Sequence, residues 1–330
     1  NKMLAPPSIM RRSLAVGLGA GCATFLLLQL YARQMRRFGV VCSPLRYVLL
    51  RWRLRKHSDL IIIADFDRTI TTAACGCSCH GVVESCKELS ESYREATKSL
   101  FEHYYPIETN VAMPREEKIP LMQQWYHQAH TLLLQEPLTE PLLAKASIES
   151  AATLRPGFEA LVTMAVNKQV PLVIYSAGLA NVVRDLLRSR LPSHLPVDEL
   201  PVVSNSIHFE GPPIVAATSP AGAPRASSFS EPLLHMFNKN GHTVRERLGG
   251  LWDQLSEGRR TVLLLGDSLG DAAMADGLNI PVVCRIGFLN DTDFQRQAQR
   301  LPHYTAAFDA LVLGDGPMDF INHLLTSNGS

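Results

Sequence analysis

Two carboxylates, Asp65 and Asp67, follow the uncharged apolar run Leu60-Ile-Ile-Ile-Ala64, and the hydroxyl of Thr69 stands two residues further on. On an extended backbone, period-two geometry points both acids to one side. At ~4 Å and an effective dielectric of ~20, two such charges repel by ~4 kcal/mol, so the pair calls for a divalent cation or for a proton kept on one member. A second run, Thr261-Val-Leu-Leu-Leu-Gly266, repeats the device and ends in Asp267-Ser-Leu-Gly-Asp271. Ser176, followed by the small-residue turn Ala177-Gly178, closes a third apolar run, and Lys239 follows Phe237-Asn238 in a connecting region. Carboxylates, a hydroxyl beside free backbone N–H groups and one ammonium are the donor set of a metal-assisted phosphate site. Solvated acids after a strand are the plain alternative for a single Asp and a poorer account of D-x-D-x-T after five apolar residues.

These residues need strand ends to hold them. The runs at 60–64, 171–178, 202–205, 261–266, 281–286 and 310–313 read as strands buried on both faces, as in a parallel sheet covered by helices. Ligands in such folds bind where the strands end. Between the first two strands the pattern is helical throughout: 81–105, 116–134 and 142–154 carry apolar residues near the 3.6-residue period. An all-helical block between two sheet strands predicts an α/β core of residues 59–70 and 152–330 with an inserted helical cap over 71–151. A helix is expected from Arg155-Pro-Gly-Phe to Asn167, and another over Met318–Leu325. The Pro-, Ala- and Ser-rich stretch 211–232 reads as a flexible insertion in the core.

The chain is long enough, at 330 residues and 46% hydrophobic content, for a sizeable core with extras. Its net charge of +1 hides an asymmetry: residues 1–58 hold eleven Lys and Arg and no Asp or Glu, leaving 21 basic against 31 acidic residues beyond. The body carries no basic, aromatic-interleaved patch of the kind that binds nucleic acid. Within the leader, Leu14–Ala32 is uncharged, and its 19 residues would span ~29 Å as a helix, near the ~30 Å of a bilayer core. It is expected to anchor the chain in a membrane, with the basic excess after it facing the catalytic body to the cytoplasm. A secretory signal and an organellar transit peptide are the other readings. The second apolar patch, Phe38–Leu50, is too short to span and reads as interfacial. Seven cysteines, four of them at 75, 77, 79 and 86, do not form a disulfide framework, and the cluster lacks the paired C-x-x-C of a zinc site.

The order D-F-D-x-T, S-A-G, N-K, G-D-S-x-G-D resembles the haloacid dehalogenase superfamily of phosphotransferases. Cys79-His-x5-Cys86, Tyr104-Tyr-Pro-Ile-Glu108, Glu116-Glu-Lys-Ile-Pro120, Trp125-Tyr126, His130, Val203-Ser-Asn205, Phe237-Asn-Lys239 and Ile286-Gly-Phe-Leu-Asn-Asp291 are similar to the type III cytosolic pyrimidine 5′-nucleotidases, in register from Asp59 to about Leu325. That resemblance implies a Rossmannoid core with an inserted cap and Mg2+-dependent hydrolysis of nucleoside 5′-monophosphates. It gives Asp65 as nucleophile, Asp67 as acid and base, and Asp65, Asp267 and the Asp67 carbonyl as metal ligands. Asp271 and Thr69 support the site, and Ser176, Ala177 and Lys239 hold the phosphoryl group. Glu108, as a carboxylate that can only accept hydrogen bonds, is expected to select bases that offer donors, with Trp125 and Tyr126 as its wall or as cap core. A serine that contacts substrate in the family is replaced by Ala129, which leaves 7-methylguanosine monophosphate open beside the pyrimidine nucleotides. Related phosphatases of phosphoserine or another small phosphomonoester, and a silent membrane scaffold, are the remaining alternatives.

Overall fold

The computed structural model describes residues 28–110, 112–211 and 223–326. Its centre is β2 (Leu60–Ala64), whose five side chains are fully buried. Five uninterrupted apolar residues leave no solvent face, so the strand is stable only between two others and two helical layers. It pairs in parallel with β3 (Leu172–Leu179) on one side and β7 (Thr261–Gly266) on the other. With β1 (Val40–Cys42), β4 (Val202–Asn205), β8 (Val282–Leu289) and β9 (Ala310–Leu313), the sheet runs β1-β9-β8-β7-β2-β3-β4. All its pairings are parallel except that of β1 with β9. The chain steps outward from β2 to β4 and returns across β2 to β7, so the switch in strand order lies at β2, where ligands bind in such sheets.

Alternation along β2 divides the core. Leu60, Ile62 and Ala64 join one apolar cluster with α7 (Phe158–Asn167), α8 (Ala180–Arg190) and α12 (Asp319–Thr326). Ile61 and Ile63 join the other, with Val244 of α9 (Gly241–Leu248), Trp252 of α10 (Gly250–Ser256) and Tyr304 of α11 (Phe294–Ala307).

Between β2 and β3 lie α3 (Cys79–Glu84), α4 (Glu91–Thr109), α5 (Arg115–Leu134) and α6 (Glu140–Glu149). Ser78, Ser90 and Thr139 cap α3, α4 and α6 by accepting the N–H of Gly81, Tyr93 and Leu142. The helix expected over 81–105 is two helices, because Lys87-Glu-Leu-Ser90 forms the turn and N-cap between them.

Two expectations are corrected. The leader was read as separate from the core up to residue 58, with an interfacial patch over Phe38–Leu50. Instead β1 extends the sheet, and α2 (Pro44–Leu54) buries Tyr47, Leu50 and Leu54. Pro44 does not break this segment: it sits at the first turn of α2, after Ser43, whose hydroxyl accepts the N–H of Arg46. Residues 14–27 of the predicted anchor lie outside the described residues, and its remainder belongs to α1, the helix over 28–38. Among the described residues no helix is long and apolar enough to cross a membrane.

The stretch 211–232 was read as flexible. Its residues 212–222 lie outside the description, but Arg225–Phe229 form β6, antiparallel to β5 (Ile207–Glu210). Small polar residues concealed the strand, which is held from the helical block: Ala226 N–H donates to the Leu138 carbonyl, and the Phe229 ring stacks on His130 at 3.7 Å.

Arg155 ties β2's following turn to the C-terminal region. Although 1% exposed, it donates to the carbonyls of Arg68, Thr69, Thr71 and Gly316, pairs with Asp315 at 3.1 Å and lies over the Phe288 ring. Replacing Arg155 with Met would leave those carbonyls and the Asp315 charge without their partner, so urea denaturation should show a loss of about 3–5 kcal/mol. A change under about 1 kcal/mol would mean that the turn does not depend on it.

Burial also holds His80, His130 and His235 neutral, pushing their pKa values down to about 4, about 3 and about 4. Each folded value is below the unfolded ~6.5. The unfolded chain therefore takes up protons first, and stability present above about pH 6.5 is lost as pH falls toward 4, by up to about 1.4 kcal/mol per unit per site. Denaturation midpoints should fall across this window, and less steeply in His130→Phe; equal slopes would contradict the assignment.

Candidate active site

The switch point gathers most of the predicted residues. Asp65 follows β2, and its N–H donates to the Leu265 carbonyl of β7, which fixes the first acid against the second strand. Asp67 has extended torsions, and Arg68 then takes a left-handed φ of 63°, which turns the chain sharply away from the sheet. The hydroxyl of Thr69 was expected to hold this turn or bond the nucleophile. It does neither: the turn rotates Thr69 into the core, where Oγ1 is buried without a hydrogen-bond partner. Thr71 does the holding, accepting Arg68 N–H at 2.9 Å and donating to the Phe66 carbonyl.

After β7, Asp267 begins the turn that Asp271 closes. Asp271 Oδ2 accepts the N–H groups of Asp267 and Ser268 and the Ser268 hydroxyl, while Oδ1 accepts Lys239 Nζ at 2.8 Å. Gly266 is required there, since a Cβ would stand 2.3 Å from that of Asp271. Lys239 also donates to Asp65 Oδ1 at 2.6 Å and lies over the Tyr175 ring. Its ammonium thus ties Asp65 to the Asp267 turn.

Carboxylate oxygens of Asp65, Asp267 and Asp271 lie within 4.8 Å of one another. Burial pushes the Asp65 carboxyl up to about 7, against the pull of Lys239 and with a further push from Asp271. Asp267 is raised well above the usual carboxylate range by burial and by the Asp65 and Asp271 charges. Burial disfavours the Lys239 ammonium, but Asp271 and Asp65 outweigh it and hold its pKa above the ordinary value. One lysine does not neutralise three acids, and hard oxygen donors so arranged fit a magnesium ion. Asp271 spends both oxygens on hydrogen bonds and is therefore better placed to orient than to ligate. The expected metal set includes the backbone carbonyl of Asp67; its carboxylate lies outside this group.

The Asp67 carboxylate instead accepts the Cys79 N–H at 3.0 and 3.2 Å, from the first turn of α3. Burial raises its pKa, and the Cys79 hydrogen bond opposes the rise. Helical block and core also touch at Gly178, where a Cβ would meet Cys79 Cβ at 2.7 Å. Ser176 lies within β3, buried, its Oγ accepting the Gly178 N–H. The turn expected at Ala177-Gly178 is instead the last part of β3, and Asn205 braces it by donating to the carbonyls of Ala177 and Leu234.

Glu108, in the last turn of α4, is raised to about 7 by burial, with Arg68 pulling against the rise and Asp271 adding to it. Lys118 Nζ donates to its backbone carbonyl at 2.9 Å. Trp125 stacks on Tyr104 with ring centroids 5.7 Å apart, and Tyr126 packs edge-on against His80 and His130. Burial raises the Tyr126 phenol, and the charges of Glu108, Asp67 and Asp65 add to the rise. Among the described residues Cys75, Cys77, Cys79 and Cys86 form no disulfide and do not converge into a group that could hold a metal ion, and burial raises Cys77 to about 11 and Cys79 and Cys86 upward.

Arg68, Arg155 and Tyr304 were not anticipated. Arg68 faces Tyr105 at 3.4 Å, with Asp267 and Asp67 among the charges acting on it. Its place between D-x-D and Thr69 was the available signal. Tyr304, which donates to the Asp267 carbonyl at 2.9 Å, offers none, because only the fold brings α11 to β7.

Comparison with known proteins agrees with this geometry. Residues 67–327 match the model of the pyrimidine 5′-nucleotidase (UMPH-1) family. The chain is 32% identical over 273 residues to the 7-methylguanosine phosphate-specific 5′-nucleotidase of Gallus gallus, covering 81% of this chain and 87% of that protein. It is also 32% identical to the Homo sapiens protein of the same name, with 81% and 83% covered. Among solved structures, cytosolic 5′-nucleotidase IIIB bound to cytidine superposes with a TM-score of 0.74 at 25% identity, covering 90% of this chain and 95% of that one. A HAD family hydrolase of Salmonella enterica serovar Typhi, at 13% identity and a TM-score of 0.53 over 92% and 94% of the two chains, shares the fold. The chain belongs to the pyrimidine 5′-nucleotidase (UMPH-1) family, a 5′-nucleotidase of the phosphoric monoester hydrolase class on a haloacid dehalogenase fold.

Proposed function

We propose that the protein hydrolyses pyrimidine nucleoside 5′-monophosphates to nucleoside and phosphate, with Mg2+ held by Asp65, Asp267 and the Asp67 carbonyl. The observation that carries this reading is the cluster of Asp65, Asp267 and Asp271 around Lys239, with Glu108 of the cap near enough to feel the charges of Asp271 and Lys239. Residues 71–151 act as the cap, over a core of 59–70 and 152–326 to which 40–54 also belong. The body faces the cytoplasm.

The ion supplies charge that offsets a dianionic phosphate and keeps Asp65 ionised. Asp65 attacks phosphorus, the P–O5′ bond breaks, and its electron pair leaves on O5′, which takes a proton from Asp67. The raised pKa of Asp67 suits this donation. Water then attacks phosphorus and gives its proton back to Asp67, while the bond from phosphorus to Asp65 breaks. Lys239, Ser176 and the Ala177 N–H hold the phosphoryl oxygens. Lys239 must therefore trade part of its hold on Asp65 for the substrate, with Asp271 keeping it in place.

Glu108 accepts from the exocyclic amino group of cytosine. A second reading, 7-methylguanosine monophosphate, is favoured by the names of the relatives from Gallus gallus and Homo sapiens. Glu108 would serve its N1 and N2 edge equally, and the hydroxyl missing at Ala129 weighs against it.

Asp65→Asn should lower phosphate release from CMP at least about 10³-fold, and chelation should abolish it until Mg2+ is restored. Turnover unaffected by both changes would end the proposal. Glu108→Ala should raise KM for CMP by about 10- to 100-fold, the worth of a hydrogen bond to a charged group, with little effect on p-nitrophenyl phosphate. Because burial pushes Glu108 up to about 7 and a carboxylate is a stronger acceptor than the neutral acid, the CMP preference over p-nitrophenyl phosphate should grow from pH 6 to 8. Glu108→Gln should flatten that trend, and an unchanged trend would remove Glu108 from base recognition.

A further inference from the structure

Helix α2 is apolar on two opposite faces. Tyr47, Leu50 and Leu54 point into the core, at 8%, 1% and 0% exposure. Leu45, Val48, Leu49 and Trp52, spaced i, i+3, i+4 and i+7, point outward at 70%, 61%, 36% and 57%. At 3.6 residues per turn these four form one stripe on the side away from the core. A globular protein gains nothing from a continuous outward stripe, and such patches mark surfaces that something covers. Leu28 and Leu30 of the helix over 28–38 are also exposed, at 49% and 59%. That helix meets α2 through the rings of Tyr31 and Tyr47, 5.6 Å apart.

We infer that this face docks the protein on the surface of an anionic lipid bilayer. The charge around the stripe selects that occupant. Residues 28–58 hold Arg33, Arg36, Arg37, Arg46, Arg51, Arg53, Arg55 and Lys56 and no acidic residue. On α2 the helical angle places Arg46 and Arg53 along one flank of the stripe and Arg51 and Arg55 along the other. The Arg55 guanidinium lies over the Trp52 ring at 5.3 Å, and Arg46 also donates to the carbonyls of Thr305 and Phe308, which pins the helix to the body. A tryptophan within an apolar stripe bordered by arginines is the arrangement of helices that lie in the headgroup region. Each basic group near such a surface adds about 1 kcal/mol, close to a fivefold gain in affinity. The other occupants lack complementary charge. Two copies joined through this face would set the four flanking arginines of each α2 against those of the other with no acid on either helix, and residues 1–27 contribute Lys2, Arg11 and Arg12 and no acid.

The test uses the full chain with vesicles of phosphatidylcholine, with and without phosphatidylserine, the acyl chains brominated to quench tryptophan. Subtracting the emission of Trp52→Phe isolates Trp52 from Trp125 and Trp252, so adhesion through any other segment does not register. Trp52 emission should be quenched on the anionic vesicles, and high salt or the triple change Arg36→Glu, Arg37→Glu, Arg55→Glu should lower the apparent affinity at least tenfold. Nucleotide hydrolysis should be unchanged by that triple change. Vesicle-bound protein whose Trp52 is insensitive to bromine would overturn the inference. So would shielding of Trp52 from aqueous iodide without lipid, or a lipid-free dimer dissolved by Leu45→Glu, since each would put protein on the face instead.

Discussion

The structure depends on holding more negative charge at the end of a buried strand than any neighbouring side chain can neutralise. Asp65, Asp267 and Asp271 converge within a few ångströms, and Lys239 alone bridges two of them. Removing water makes such repulsion severe, which is why Asp65 and Asp267 sit above the usual carboxylate range. Oxygen donors gathered this way fit a cation. The same excess explains the rigid surroundings, because charged groups that repel must be fixed from behind. Asp271 is closed by its own turn, Asp267 by the Tyr304 hydroxyl, and the turn after Asp65 by Arg155.

Coupling between core and cap follows from one hydrogen-bond pair. Asp67, the acid and base of the proposed chemistry, receives the Cys79 N–H at the start of α3, so the helices that carry Glu108 and Tyr126 are joined to the group that must exchange a proton. The β5–β6 hairpin supports this joint from the far side through Phe229 and His130. Base selection and proton transfer therefore share a mechanical connection, although their residues are some forty positions apart.

Much of this was legible in the chain. Apolar runs broken by Asp gave the strands and their active ends, because burial on both faces leaves no other composition. What stayed hidden was set by distance. The role of Thr71 in place of Thr69 follows from the left-handed turn at Arg68, which period-two reasoning did not anticipate. Arg155 and Tyr304 act on backbone carbonyls brought near only by the fold. Helix α2 was misread because its inward stripe of Tyr47, Leu50 and Leu54 is interleaved with arginines and with an equally apolar outward stripe, so the two faces merged into one short patch.

In the proposed reaction the charge excess at β2 makes Asp65 the nucleophile. The most direct measurement is an acid quench of a single turnover with CMP labelled in the phosphate, followed by peptide mapping. A hydroxylamine-sensitive label on the peptide that contains Asp65, formed only with Mg2+ present, is predicted. Phosphate released within one turnover with no protein-bound label at any quench time, in a reaction that Asp65→Asn leaves intact, would contradict it.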